Sequence, residues 1–361
     1  MIVSSFIAYL LLVSLGYHFA WRLILSAWPS LEKRRKRLLI FIIAPTLVFL
    51  ASFFWMNFRG SDLAAYVYVA SGLLFGLLTQ LMIFGLIFRA GDWAKKSFSR
   101  EKAGLGTNTA RLAVFISLAF FLLGVYNAFF PGLKTIELEG WPPELSGKTF
   151  VQLSDLHLGA VYRPYWLKGI VSKVNDLDPD LVLISGDLAD GSDRKVSEFA
   201  PALADIKAPA IFTPGNHDYY LPEEEMINLA KEGDLILLRN SATSVADMEI
   251  VGFDYLSRAD SGIRRDIANL QATSSTRIVL NHVPVDQAEA SALGARLMLS
   301  GHTHRGQIFP LSFLLRVIYG PYSYGLEQYE GMQTYTSAGT GTWGPLFRTL
   351  LPGEIILFRI K

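Results

Sequence analysis

Residues 210–218 read Ala210-Ile211-Phe212-Thr213-Pro214-Gly215-Asn216-His217-Asp218. Four residues suited to a buried strand are stopped by Pro214 and Gly215, and an Asn, a His and an Asp follow at once. The same grammar recurs through the second half of the chain. Thr149–Leu153 leads to Asp155 and His157, and Leu181–Ser185 leads to Gly186-Asp187 with Asp190 three residues on. Arg277–Leu280 leads to Asn281-His282, and Arg296–Leu299 to Gly301-His302-Thr303-His304. Further short apolar runs at Leu235–Leu238, Glu249–Val251, Thr334–Thr336 and Glu354–Ile360 alternate with helical stretches at Pro164–Leu177, Lys195–Lys207 and Pro222–Lys231. That alternation predicts an α/β domain over 149–361, with central sheets flanked by helices.

Five of the six histidines fall directly after predicted strands; the sixth, His18, lies in an apolar stretch near the amino terminus. Ligands of open α/β sheets gather at the carboxyl ends of strands. One Asp-x-His is an ordinary surface turn. Five strand ends that deliver Asp, His and Asn to one edge are what a site for two metal ions requires. Imidazoles and carboxylates suit Zn, Fe and Mn, and one carboxylate can bridge a pair of ions. The chain has no cysteine, which excludes disulfides, thiolate chemistry and Cys-based zinc sites.

The order of these blocks resembles the calcineurin-like metallophosphoesterase superfamily, whose motifs run DxH, GDxxD, GNHD/E, a single His and GHxH. Here they are Asp155-x-His157, Gly186-Asp187-x-x-Asp190, Gly215-Asn216-His217-Asp218, His282 and Gly301-His302-x-His304. Ser154-Asp155-Leu156-His157, Asn281-His282-x-Pro284 and Gly339-Thr340-Gly341 are most similar to the bacterial membrane-associated branch. The resemblance implies two divalent ions (Mn, Fe or Zn). One would be held by Asp155, His157, Asp187 and His304, the other by Asp187, Asn216, His282 and His302. It further implies that His217 faces the leaving oxygen as acid or charge stabiliser, oriented by Asp218, and that Asp190 supports the ligand loop. Two cations ~3.5–4 Å apart activate a water as hydroxide for attack on phosphorus and clamp the phosphoryl oxygens. Many relatives of this branch carry Gly after the last motif, where this chain has Arg305. Arg305 and Arg163 are candidates to grip a phosphate or headgroup, and Trp343 to line the cleft.

The first half belongs to another solvent. Half of all residues are hydrophobic (51%) and only 18% are charged, too apolar for an ordinary soluble enzyme. Four stretches lack Asp, Glu, Lys and Arg: Met1–Trp21, Leu38–Phe58, Leu63–Phe88 and Leu112–Leu133. Each is long enough for a helix to cross a bilayer, so 1–133 is predicted to be a four-helix transmembrane domain. No basic residue precedes the first run, which argues against a cleaved leader. Gly72 and Gly76 form a GxxxG pair. Residues 1–133 carry 13 Lys and Arg against 4 Asp and Glu, while 134–361 carry 20 against 28. The basic residues concentrate at Lys33–Arg37 and between Arg89 and Arg111, leaving one Arg between the second and third stretches. Basic loops stay in the cytoplasm, so both termini are expected outside it, in the inner or plasma membrane. Residues 134–148 read as a linker, at most ~60 Å long from Pro131 at ~3.3 Å per residue.

Together these readings predict a multi-pass membrane enzyme that hydrolyses a phosphorylated lipid or lipid-linked headgroup. Two alternatives stay open: a cytoplasmic-facing pyrophosphatase similar to UDP-diacylglucosamine hydrolases, and a non-catalytic membrane scaffold. The apolar run Phe309–Val317 is either core or a patch meeting the bilayer. Assembly with another membrane protein or with further copies is an open expectation, and no nucleic-acid partner is expected. The apolar stretches hold no Asp, Glu, Lys or Arg for ion coupling, and His18 alone cannot support it, which argues against a transporter.

Overall fold

The computed structural model describes residues 16–59, 61–99, 105–191, 195–255, 276–349 and 351–361. It divides into two compact units, one containing the described residues up to Tyr126 together with Gly344–Leu350, the other Asn127–Trp343 with Leu351–Lys361.

The first unit is helical. Residues 16–27 (α1), Arg35–Arg59 (α2), Asp62–Ser99 (α3) and Thr107–Phe129 (α4) follow one another, the last turn of α4 passing into the second unit. Three spans among the described residues are long and apolar enough to cross a membrane, Pro29–Met56, Asp62–Lys95 and Thr107–Phe129. Most of the first expected span, Met1–Trp21, lies outside the described residues. Small side chains let these helices approach: Ala20, Leu23 and Ala27 of α1 pack with Leu81 of α3 and with Ala110 and Ala113 of α4. Phe41, Phe54, Tyr66, Phe115 and Leu122 point outward, exposed, as lipid-facing side chains do. Gly72 and Gly76 receive rings rather than another helix backbone. A side chain at Gly72 would meet Phe49, and one at Gly76 would meet Phe347 and Phe121.

The second unit is a two-sheet sandwich. The first sheet runs β1-β12-β2-β3-β4-β5, built from Gly132–Leu138, Glu354–Ile360, Thr149–Leu153, Leu181–Ser185, Ala210–Thr213 and Leu235–Leu237. The second runs β10-β11-β9-β8-β7-β6, from Gly325–Tyr329, Met332–Thr336, Leu297–Ser300, Arg277–Asn281, Met248–Phe253 and Ser241–Val245. Strands β2 to β5 are mutually parallel, as are β7, β8, β9 and β11, which places their carboxyl ends on common edges. Alternate residues of the two inner faces form the shared core: Phe150, Leu181, Leu183 and Ile211 meet Ile250, Ile278, Leu280, Leu299 and Tyr335. Full burial of each such side chain contributes about 1.5–3 kcal/mol. The opposite face of the second sheet, through Val251, Val279 and Met298, is covered by Ala290 and Leu293 at α8 (Gln287–Ala292). Helices α5 (Pro164–Asp176), α6 (Ala200–Ala204) and α7 (Glu223–Glu232) bury Leu167, Ile170, Leu203, Met226 and Leu229.

Two expectations need correction. Residues 134–148 are not a free linker. Residues 132–138 form β1, an edge strand parallel to β12, with Ile136 and Leu138 buried, and Trp141 and Leu145 join the core behind it. The alternation Ile136-Glu137-Leu138 after Pro131-Gly132 carries that signal, but it is only three residues long. The helix expected over Lys195–Lys207 is a 3₁₀ turn, Val196–Phe199, followed by the short α6, since Pro201 permits only a helix start there.

Candidate metal centre

Every motif residue sits within a few positions of a strand's carboxyl end: Asp155 after β2, Asp187 after β3, Asn216 and His217 after β4, His282 after β8, His302 and His304 after β9. The backbone there is bent sharply. Asp155, His157, Asp187, His302 and His304 all have positive φ, between 46° and 68°. Non-glycine residues rarely adopt this conformation, and such strain gathers at functional sites. The motif glycines allow the loops to touch. A side chain at Gly186 would collide with the His282 ring, one at Gly215 with Asp187, and one at Gly301 with Ser154 and Asp155.

The result is a buried cluster of His and Asp. Among the described residues, three sets bring their ligand atoms within 4.8 Å of one another: Asp155, His157 and His304; Asp187, His282 and His302; and His157, Asp187 and His217. His157 Nε2 and His304 Nε2 face each other at 3.1 Å, His304 Nε2 is 3.4 Å from Asp155 Oδ1, and His157 Nε2 is 3.7 Å from Asp187 Oδ2. On the other side of Asp187, Oδ2 is 3.1 Å from His282 Nε2. Asp187 therefore stands between two groups of donors, where a bridging carboxylate belongs.

Surrounding groups fix the orientation of each donor. The Ser185 carbonyl lies 2.9 Å from His282 Nδ1 and accepts its proton, so Nε2 is aimed at Asp187. Ser154 Oγ donates to Asp155 Oδ2 at 2.6 Å, and the His302 amide donates to the same carboxylate at 3.0 and 3.1 Å. The His217 amide donates to Asp187 Oδ1 at 2.8 Å.

The role expected of Asp218 is corrected. Its carboxylate accepts the amides of Ala189 at 2.9 Å, Gly215 at 2.8 Å and Leu188 at 3.4 Å, so it ties the loop after β3 to the loop after β4. It does not orient His217. That ring is held through Nδ1, 3.1 Å from the Asp190 carbonyl and 3.8 Å from the Asp190 carboxylate, which also lies 3.4 Å from His157 Nδ1. A carbonyl only accepts, so Nδ1 carries the proton and Nε2 is left for other work.

Charge follows burial and pairing. Burial opposes ionisation of Asp187, yet His282, then His157 and His217, hold its carboxyl well below the usual range. Burial also opposes protonation of His282, but the Asp187 charge overrides it and lifts the imidazole to about 9. Burial raises Asp155, against the pull of His282. Asp218 is pushed up to about 7 by burial and by Asp187. Burial and then His157 lower His217 below the ordinary histidine value.

These residues suit cations. Asn216 Oδ1 is buried with no hydrogen-bond partner, which a coordinated ion would supply. Facing imidazole nitrogens with carboxylates on either side form the N and O donor set of a transition metal.

Comparison with known proteins agrees. The model of the calcineurin-like phosphoesterase family matches residues 148–306. An uncharacterized metallophosphoesterase of Helicobacter pylori is 32% identical over 280 residues, covering 73% of this chain and 75% of the relative. The chain belongs to the calcineurin-like metallophosphoesterase family. A transmembrane protein with metallophosphoesterase domain from Danio rerio is 31% identical over 384 residues, covering 97% of this chain and 87% of the relative. The likeness therefore extends through the membrane half. This metallophosphoesterase is a metal-dependent phosphoester hydrolase and a membrane protein, and its buried cluster answers the family's need for divalent metal ions.

The remaining candidates line the metallophosphoesterase site unequally. The Trp343 ring, about half exposed, lies 5.7 Å from the His217 ring at a steep angle. Its backbone is clamped by the Gln307 side chain, which accepts from Trp343 N at 3.1 Å and donates to Trp343 O at 3.0 Å. Arg305 is exposed, its guanidinium 4.1 Å from the centre of the Tyr324 ring. Arg163 begins α5 and pairs with Glu198 at 3.6 Å. The sequence reading missed Gln307, Ser185 and Tyr220, whose ring lies 4.8 Å from that of His217. Ser185 acts through its main chain and leaves no side-chain signal.

Proposed function

We propose that this metallophosphoesterase acts on a phosphorylated lipid or lipid-linked headgroup, with its site on the extracytoplasmic face. One observation supports the lipid reading above others. Helix α4 ends at Phe129 and β1 begins at Gly132, so only Phe130 and Pro131 separate a membrane-spanning helix from the sheet. The carbonyls that end α4, ordinarily left without partners, are taken by this domain: Ala128 O accepts from Tyr162 Oη and Phe129 O from Trp166 Nε1, both at 2.8 Å. At ~3.3 Å per residue such a joint reaches roughly 10 Å, the scale of the headgroup layer. The basic loops at Lys33–Arg37 and Arg89–Arg111 support the extracytoplasmic side.

Asp155, His157, Asp187 and His304 would hold one ion, and Asp187, Asn216, His282 and His302 a second. A bound pair of divalent cations supplies Lewis acidity toward phosphoryl oxygens and makes a nearby water acidic. The chain's own groups complete the chemistry. His217, with Nδ1 committed to the Asp190 carbonyl and its proton affinity lowered by burial, offers a bare Nε2 that first takes up a proton released in the site and then hands it to the leaving oxygen. Trp343 walls the cleft beside it.

The test is a rate comparison on the detergent-purified full chain. The lipid phosphoester should be cleaved at least tenfold faster than its water-soluble headgroup, and equal rates would overturn the lipid reading. A carboxy-terminal alkaline phosphatase fusion should be active in cells. An inactive fusion, with a fluorescent cytoplasmic reporter active instead, would move the site to the cytoplasm and favour a nucleotide-linked lipid.

A further inference from the structure

Helix α9, Leu311–Tyr319, begins seven residues after His304 and contains no buried residue. At 100° per residue, Leu311, Phe313, Leu314, Val317 and Ile318 share one face, and Ser312, Leu315 and Tyr319 share the other. The second face is the half-buried one. All five apolar side chains of the first face are exposed, Phe313 at 64% and Val317 at 83%. The helix is thus inverted relative to a helix that packs on a soluble core, with its wettest face its most apolar. Its single charge, Arg316, lies off that face.

We infer that α9 is a membrane-contacting helix whose Leu311, Phe313, Leu314, Val317 and Ile318 enter the lipid interface of the bilayer that α4 spans. The two-residue joint between α4 and β1 keeps this domain within reach of that surface whatever else is present. An apolar face with a flanking Arg and with tyrosines at its carboxyl end, Tyr319 and Tyr322, has the composition of an interfacial helix. The helix also borders the site. The Tyr319 ring meets the His302 ring edge-on, centroids 6.2 Å apart at 89°. A helix lying in the headgroup layer would therefore bring a lipid-borne phosphate to the rim of the metal cluster. This last point rests on the lipid-substrate reading; the surface itself does not.

The chain lacks cysteine, so single labels can be placed without altering a background. Val317→Cys and Leu314→Cys, each carrying an environment-sensitive fluorophore, would be compared with Asp176→Cys in the full chain in phosphatidylcholine–phosphatidylglycerol nanodiscs. Asp176 is exposed at the end of α5, on the connection that leads into the amino-terminal end of β3, the end opposite the site. At 314 and 317 we expect blue-shifted emission, about twofold quenching by lipids with a nitroxide on the upper acyl chain, and protection from aqueous iodide. At 176 the reverse is expected. Emission at 317 matching that at 176 would overturn the inference. So would a blue shift without lipid quenching, which would assign the face to a protein partner or a second copy. If the labels report lipid contact while lipid and soluble headgroup are cleaved at equal rates, the contact surface stands and the substrate reading falls.

Discussion

The Asp190 carbonyl accepts the Nδ1 proton of His217 at 3.1 Å, and this bond, not one from Asp218, sets the imidazole in the cleft. The main-chain origin of the acceptor matters. It cannot titrate, so it keeps Nδ1 protonated and leaves Nε2 as the only nitrogen that exchanges a proton with substrate.

His217→Asn should therefore leave the metal content intact and lower kcat by ~10²–10⁴, as loss of a general acid does. Metal analysis beside steady-state kinetics on purified protein checks this. An emptied site would make His217 a ligand, in the set it shares with His157 and Asp187.

Asp218→Asn should behave differently. An amide in place of the carboxylate presents N–H groups to the amides of Leu188, Ala189 and Gly215, which have nothing else described to bond. The expected cost is about 1–3 kcal/mol, the scale for a buried donor losing its acceptor. Thermal unfolding in detergent should show it, with weakened metal retention because both ligand loops are freed. Unchanged stability with a selective fall in kcat would restore the orienting role to Asp218.

Asp187→Asn is expected to leave fewer than two ions per chain and to abolish turnover. Asp187 Oδ2 faces His282 at 3.1 Å and His157 at 3.7 Å, so the carboxylate belongs to both groups of donors. Two retained ions with normal turnover would show that it does not bridge.

Much of this centre was legible because its chemistry is written in side chains. Asp, His and Asn after short apolar runs announced both the strands and the edge where they meet. What stayed hidden is carried by backbone or by pairing over distance. The Ser185 and Asp190 carbonyls act without regard to their side chains, and β1 exists only because the carboxy-terminal strand offers it an edge 222 residues later in register, Gly132 against Glu354. The run Phe309–Val317 read equally well as core or as surface. Only burial, which depends on the rest of the fold, separates Leu315 from Leu314.

Glycines at the cluster separate steric from generic effects. Gly301→Ala would drive a methyl group into Ser154 and Asp155, so we expect loss of metal with little change in helix content by circular dichroism. Gly169→Ala, inside α5 with open space around it and ordinary helical backbone, should be neutral or stabilise by about 0.5–1 kcal/mol. Equal behaviour of the two variants would mean that the contact at Gly301 is relieved by movement of its loop.

The start of β2 provides a pH test remote from the cluster. Asp180 Oδ2 accepts the Thr149 amide at 2.8 Å and Oδ1 is 3.1 Å from Lys148 Nζ, while the Asp180 amide returns a bond to the Thr149 carbonyl at 2.9 Å. Burial is the largest single influence and works against the charge, but these partners together outweigh it and hold the carboxyl below its ordinary value. A carboxyl with a depressed folded value stabilises fully above its unfolded pKa, ~3.9, and the contribution is lost as pH falls through the folded value. The side chain is about one-third exposed, so we discount the effect to about 1 kcal/mol. Asp180→Asn keeps the shape and removes the charge. Its melting temperature should lie below that of the parent by a constant gap between pH 7 and pH 5, and the gap should close below about pH 4. A gap that closes between pH 7 and pH 5 would trace the effect to histidines and remove Asp180 from the account.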